Sequence, residues 1–144
     1  MSTNVMTEKQ KEQYKLTDQV AIITGSGRGI VRAIPKKLMP QGARVVISDI
    51  NEETCTKTAA ELKEMGGETL ASVCDVTNSE SIEKMVSKVM DQWGKIDILV
   101  NNAGITRDNL YMRMSEQDWQ AVIDTNLSSA FKVTKPVLKI MSKQ

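Results

Sequence analysis

The feature that most restricts the fold is an alternation, in which apolar runs of strand length and stretches of helical periodicity follow one another along the chain. Val20-Ala21-Ile22-Ile23 is short and apolar and ends in Thr24-Gly25, so it reads as a buried strand. A helical stretch follows to about Gln41 and stops at Gly42. Arg44 to Ser48 forms a second strand. Asn51 can cap a helix with inner positions Cys55, Ala59 and Leu62, ended by Gly66-Gly67. Thr69 to Val73 makes a third strand. Asn78 or Ser79 caps the next helix, where Ile82, Met85, Val86, Val89 and Trp93 share one face and Gly94 closes it. Ile96 to Val100 is a fourth strand, apolar apart from Asp97, as expected when both faces of a parallel sheet are covered. Beyond a loop over Asn101 to Met114, Ser115 begins a helix with Asp118 completing an acidic capping arrangement. A final helix runs from near Asn126 toward the end. Such alternation implies right-handed crossovers and an α/β fold with a doubly wound parallel sheet.

Thr24-Gly25-Ser26-Gly27-Arg28-Gly29-Ile30 falls directly between the first strand and the first helix. Glycines there let backbone N–H groups approach a pyrophosphate, which also gains from the positive end of the helix dipole. A glycine-rich turn is by itself a weak signal, with a plain surface turn as the alternative; its place at the opening of a βαβ unit points to dinucleotide binding. Asp49 ends the second strand at close to the ~20-residue spacing of a ribose-binding acid. A carboxylate there accepts both ribose hydroxyls of NAD and repels the 2′-phosphate of NADP, although a helix-capping aspartate would look the same. Arg28 pulls the other way, since a guanidinium beside the loop can pair with that phosphate. The cofactor expected is NAD or NADP, with a lean to NAD.

Composition removes other classes. Net charge is +1, from 19 basic and 18 acidic side chains, which gives no electrostatic case for nucleic acid or an anionic membrane. No apolar run approaches the ~20 residues that span a bilayer. There is no histidine, so a histidine triad or histidine metal site is excluded. Cys55 and Cys74 fall on different elements and match no ligand spacing; they read as reduced packing residues, consistent with a cytoplasmic protein. Residues 1–15 are polar, mixing Glu8 and Glu12 with Lys9, Lys11 and Lys15. They lack the apolar stretch of a secretion signal, and their acids argue against a transit peptide. They read as a frayed extension to a domain over 16–144.

The motifs Thr24-Gly25-x-x-x-Gly29, Asp75-Val76, Asn101-Asn102-Ala103-Gly104 and Asp124-Thr125-Asn126-Leu127 occur in that order. Together they resemble the successive motifs of the short-chain dehydrogenases/reductases. The run Asn101 to Met114, with Ser115-Glu116-Gln117-Asp118-Trp119 after it, is especially similar to 3-oxoacyl-acyl-carrier-protein reductases. The resemblance extends from about residue 16 onward and implies a Rossmann-type sheet of order 3-2-1-4. It also implies roles. Gly25, Ser26, Gly27, Arg28, Gly29 and Ile30 would hold the pyrophosphate and nicotinamide side. Asp49 and Ile50 would meet the ribose end, and Asp75 and Val76 would face the adenine. Asn102, Ala103 and Gly104 would line the cofactor at the end of the fourth strand. Asn126 resembles the catalytic asparagine, which kinks the final helix and whose carbonyl positions a water; a helix N-cap is the alternative. Asn101 reads instead as a side chain tying strands together. An acyl-carrier-protein-linked substrate and a homo-oligomer are the partners implied.

The sequence also departs from that family. Its serine, its tyrosine and the lysine four positions later, which polarise and protonate the carbonyl, lie beyond the final helix, within which this sequence reaches Gln144. Tyr14 lies in the extension, and the fourth residue after Tyr111 is Ser115. The chain is therefore expected to be a partial domain lacking a general acid, with its fourth strand a bare apolar edge. Val31 stands where the last loop glycine is expected and should crowd the helix or the pyrophosphate. Pro35 falls about two turns into the first helix, a costly place for proline, whereas Pro40 sits where that helix is ending and Pro136 would kink the last helix. Two readings follow: a nicotinamide-dependent reductase of 3-oxoacyl thioesters, or a non-catalytic nucleotide-binding or oligomerisation fragment of one.

Overall fold

The computed structural model of the chain describes residues 15–27 and 33–144. Strands β1 (Val20–Thr24), β2 (Arg44–Asp49), β3 (Thr69–Val73) and β4 (Ile98–Val100) form one sheet in the order β3-β2-β1-β4. All pairings are parallel, with Ile22 opposite Val46 and Leu99, and Ile47 opposite Ala71. The expected Rossmann-type order 3-2-1-4 is the observed one. β1, at the centre, is buried along its whole length.

Helices cover both faces, and side-chain alternation along the strands decides which residue meets which helix. Val20, Ile22 and Val46 point to one face and pack with Ile82, Met85, Val86 and Val89 of α3 (Ser79–Trp93) and with Val133 and Val137 of α5 (Ser129–Met141). Ile23, Val45 and Ile47 point to the other face, toward Ala59 and Leu62 of α2 (Glu52–Glu64) and Ile34 and Leu38 of α1 (Ala33–Leu38). A helix α4 (Glu116–Ile123) precedes α5.

The caps follow the sequence reading. Asn51 Oδ1 accepts the Thr54 amide at 2.8 Å, Asn78 Oδ1 the Ser81 amide at 2.9 Å and Ser115 Oγ the Asp118 amide at 3.0 Å, each satisfying an N-terminal donor. Gly94 closes α3 in the left-handed conformation. Asp118 returns a carboxylate to the Ser115 hydroxyl at 2.7 Å.

Several local expectations change. The fourth strand begins at Ile98 rather than Ile96, because the Asp97 carboxylate, not a backbone carbonyl, accepts the Val20 amide at 2.8 Å. The first helix turns from α to 3-10 at Met39–Gln41, and Pro40 occupies the opening of that turn, where a missing N–H leaves nothing unpaired. Pro35 is the third residue of α1 and is buried; residues 28–32, which set its distance from the helix start, lie outside the described residues, as does the extension over 1–14. β4 has β1 on one side and, among the described residues, no strand on the other, so the expected open edge is present.

Burial also sets the chemistry of Cys55. Its thiol is fully buried, donates to the Asp49 carbonyl at 3.4 Å, and has its pKa raised to about 11, chiefly by desolvation. As pH rises, the unfolded thiol therefore ionises before the folded one, so stability declines from near the ordinary thiol value and levels off beyond about 11. At pH 8 the folded thiolate population falls about 100-fold below that of the unfolded chain, and alkylation of Cys55 should be slow natively and fast in urea. Mass-spectrometric alkylation kinetics check this; equal rates would contradict it.

Candidate functional site

In this topology the chain moves outward from β1 through β2 to β3 and then crosses back to β4 on the other side of β1. The reversal leaves a crevice beyond the C-terminal strand ends between β1 and β4. A cleft of about 620 Å3 opens at these strand ends, within the usual range for small-molecule sites. Gly25 forms its floor, Asp49 and Ile50 follow from β2, and Cys74, Asp75, Val76 and Thr77 follow from β3. Asn102 to Ile105 and Arg107 form the side beyond β4, with Ala121, Asp124 and Thr125 behind them.

The floor is built around Thr24. Its buried hydroxyl donates to the Val100 carbonyl at 3.4 Å and accepts the amides of Asn102 and Ala103 at 3.0 and 3.1 Å. Asn102 Nδ2 returns a bond to the Thr24 carbonyl at 2.9 Å. The turn after β1 and the turn after β4 are thereby locked together. Gly25 sits in this lock with φ +65°, and a Cβ added to it would lie 2.7 Å from Ala103 Cα. Replacing Thr24 by valine keeps its shape but strands the Asn102 and Ala103 amides, at an expected cost of about 2 kcal/mol. Urea denaturation measures this, and an unchanged midpoint would refute the role given to the hydroxyl.

Eight of the residues expected at a cofactor site line this one cleft: Gly25, Asp49, Ile50, Asp75, Val76, Asn102, Ala103 and Gly104. Ser26 and Gly27 lie behind it. The Ser26 hydroxyl is fully buried, donates to the Ile23 carbonyl at 2.7 Å and accepts the Ser48 amide at 3.0 Å, so it ties β1 to β2. Gly27 is pressed against the Asp49 side chain, with no room for a Cβ, and its carbonyl accepts the Thr58 hydroxyl at 3.0 Å. Arg28, Gly29, Ile30 and Val31 lie outside the described residues.

The Asp49 carboxylate is nearly buried and accepts the Asn51 amide at 3.2 Å. Asp75 folds its own loop: Oδ1 accepts the Thr77 amide at 2.9 Å and the Thr77 hydroxyl at 2.7 Å. Beside it, burial raises the pKa of the Cys74 thiol, opposed by a hydrogen bond with Ser81, so the thiol lines the cleft as a neutral group.

Asn126 is not a helix cap. It lies in a five-residue π-helical segment, Asp124–Ser128, that joins α4 to α5 without a loop. Its side chain spans to the turn after β4 and grips one residue twice, Nδ2 donating to the Ile105 carbonyl at 3.0 Å and Oδ1 accepting the Ile105 amide at 2.8 Å. The helix around Asn126 is thus widened by one π-turn, and π-turns within helices cluster at functional sites. The Ser129 hydroxyl bonds back to the Thr125 carbonyl, a contact that loosens a helix at the same place. Asn101 does not tie strands together: its Nδ2 donates to Thr134 Oγ1 on α5 at 2.9 Å, and Asn102 does the tying.

Beyond the residues expected at a cofactor site, Thr77, Ile105, Arg107, Asp124 and Thr125 also line the cleft, and Cys74, buried in the core as its patterning suggests, borders it as well. Arg107 is the one cation lining the cleft among the described residues; its Nε lies 3.8 Å from Asp118. Among the described residues no group of acidic or cysteine side chains could hold a metal ion, and no helix is long and apolar enough to cross a membrane.

The chain is 44% identical over 130 residues to a 3-oxoacyl-[acyl-carrier-protein] reductase of Synechocystis, covering 90% of this chain and 53% of that protein. It is 42% identical to the corresponding Thermotoga maritima reductase over 90% of this chain and 53% of the relative, and 42% identical to that of Escherichia coli over 88% and 50%. The chain therefore spans about half the length of these curated relatives. The solved crystal structure of gox2181 superposes with a TM-score of 0.89 at 36% identity, over 92% of this chain and 52% of that one. The short chain dehydrogenase family model matches residues 19–144, from the start of the sheet through α5, and the chain belongs to that family.

Proposed function

We propose that the cleft binds a nicotinamide dinucleotide and that the chain provides the cofactor-binding part of an oxidoreductase acting on 3-oxoacyl thioesters carried by an acyl-carrier protein. The observation that carries the reading is the convergence of Gly25, Asp49, Asp75 and Asn102 to Gly104 on one cleft at the switch point of the sheet. The cleft's volume and donor set fit the group. When bound, the nicotinamide supplies a hydride acceptor or donor. Asp49, at the end of β2, would accept the adenosine ribose hydroxyls, which favours NAD; Arg28 would favour NADP. Asp75 and Val76 would flank the adenine, and Asn102 to Gly104 would face the middle of the cofactor. Asn126, through both bonds to Ile105, would hold the turn after β4 in place and present a carbonyl of the π-segment to water. The names of the curated relatives support the thioester substrate. Two free buried thiols accord with a reducing, cytoplasmic setting.

Calorimetric titration of the chain with NAD+ and NADP+ tests the binding reading, and heat from neither would overturn it. Oxidation of NADH or NADPH with an acetoacetyl thioester separates two roles for the chain. Turnover would assign it the whole reaction. Binding without turnover would assign it a cofactor-binding or assembly role. That second role is favoured by Phe131, Leu127 and Leu138, which stand exposed around α5.

A further inference from the structure

Lys132 of α5 spends its ammonium on a neutral group. Its Nζ donates to the Thr77 carbonyl at 2.8 Å, across 55 residues of sequence, and among the described residues no carboxylate pairs with it. The position of that carbonyl matters. It belongs to the same peptide unit as the Asn78 amide, which donates to the Asp75 carbonyl at 3.1 Å and closes the turn after β3. Within the turn the Asp75 carboxylate holds the Thr77 amide and hydroxyl, and the Asp75 amide donates to Ser81 Oγ at 2.9 Å. Every one of those bonds is local. The Lys132 bond ties the turn to the helix that continues from the π-segment, and so joins two walls of the cleft, Asp75 to Thr77 on one side and Asp124 and Thr125 on the other. A charge-assisted bond of this kind is about twice as strong as a neutral one.

We infer that Lys132 is a positioning residue that sets the separation of the Asp75–Thr77 turn from the α5 wall, and with it the affinity for the adenine half of a dinucleotide. The inference rests on the proposed cofactor site. Lys132 touches no ligand in this scheme; it acts through the Thr77–Asn78 peptide. The loss on removing it should therefore fall on any ligand that carries adenosine, whether or not it carries nicotinamide.

The test is titration of the full chain with NAD+, NADP+ and AMP for wild type, Lys132→Met and Lys132→Arg, below the unfolding temperature of each and with folding checked by circular dichroism. Lys132→Met should weaken NAD+ and AMP by a similar factor of about tenfold, while Lys132→Arg, which keeps a charged donor, stays within about threefold of wild type. A general loosening of the fold would lower the unfolding temperature without that matched loss and without rescue by arginine. Equal affinity of wild type and Lys132→Met, or an equal loss in Lys132→Arg, overturns the inference and leaves the cofactor reading standing. Failure of wild type to bind either dinucleotide overturns the cofactor reading and this inference with it. Should Lys132→Met not fold, Lys132→Gln, which keeps a neutral donor at shorter reach, is read by the same criteria.

Discussion

Replacing Gly25 by valine should lower the stability of the chain by about 3–5 kcal/mol and abolish dinucleotide binding. Two independent penalties meet at this residue. Its φ of +65° is a left-handed conformation that costs an L-residue about 1–2 kcal/mol, and more for a β-branched one. The new Cβ would also stand 2.7 Å from Ala103 Cα, a backbone atom fixed by the Thr24 hydroxyl, so the overlap can be relieved only by parting the turns after β1 and β4. Overpacking of that kind typically adds about 1–3 kcal/mol. For a chain of this size each kcal/mol is about 3 °C of melting temperature, giving a fall of about 10 °C or more. Gly66 supplies the control: its φ is +86°, but a Cβ there would meet nothing within 4 Å. Gly66→Val should show the conformational penalty alone. If both valine variants melt at the same temperature, the close approach to Ala103 is not what demands glycine at position 25.

The second large effect concerns cofactor choice. Asp49→Ser should weaken NAD+ binding by about 10- to 100-fold while strengthening NADP+ binding relative to NAD+. Hydrogen bonds to a charged acceptor are worth about 1.5–3 kcal/mol each, and the carboxylate would accept from the ribose hydroxyls. The same carboxylate repels a 2′-phosphate by several kcal/mol at close range, even in a moderately polar surrounding. Serine keeps a hydroxyl to accept the Asn51 amide, so the cap of α2 survives and the change reads on the ligand rather than on folding. The NAD+/NADP+ affinity ratio from parallel titrations is the readout, and a ratio unmoved by the substitution would remove Asp49 from the ribose site.

Much of this architecture is legible in the sequence because short-range physics writes it there. Asn51, Asn78 and Ser115 each announce a helix start through a bond three residues away, and Thr69 to Val73 is bounded by turn residues that leave the strand no other extent. Alternation and the handedness of crossovers point to a parallel doubly wound sheet, while the order 3-2-1-4 is what the family resemblance implies. What was hidden depends on contacts across long stretches of sequence. Asn126 resembles a cap from its neighbours, but its side chain is committed to Ile105, and the backbone around it stays helical. Asn101 and Asn102 are adjacent and chemically identical; only the path of the turn after β4 decides that one meets Thr134 and the other Thr24. Ile96 belongs to an apolar run but not to β4, because Asp97 intercepts a ladder bond with its side chain. Eight expected cofactor residues reached the cleft because strand ends converge whatever the details; Arg107 and Thr77 did not announce themselves because loops carry them there.

Among the described residues β4 is three residues long and bonded on one side, whereas β1 is bonded on both and fully buried. The two strands support the cleft side by side, yet they should keep different time. Openings of the native state begin where the fewest bonds must break, so β4 amides should exchange with solvent well before those of β1. The Asn102-Ala103-Gly104 wall hangs from β4 and moves with it. A ligand seated against that wall would hold shut the first part of the molecule to open, and its strongest effect would be on the lifetime of the closed state rather than on its shape.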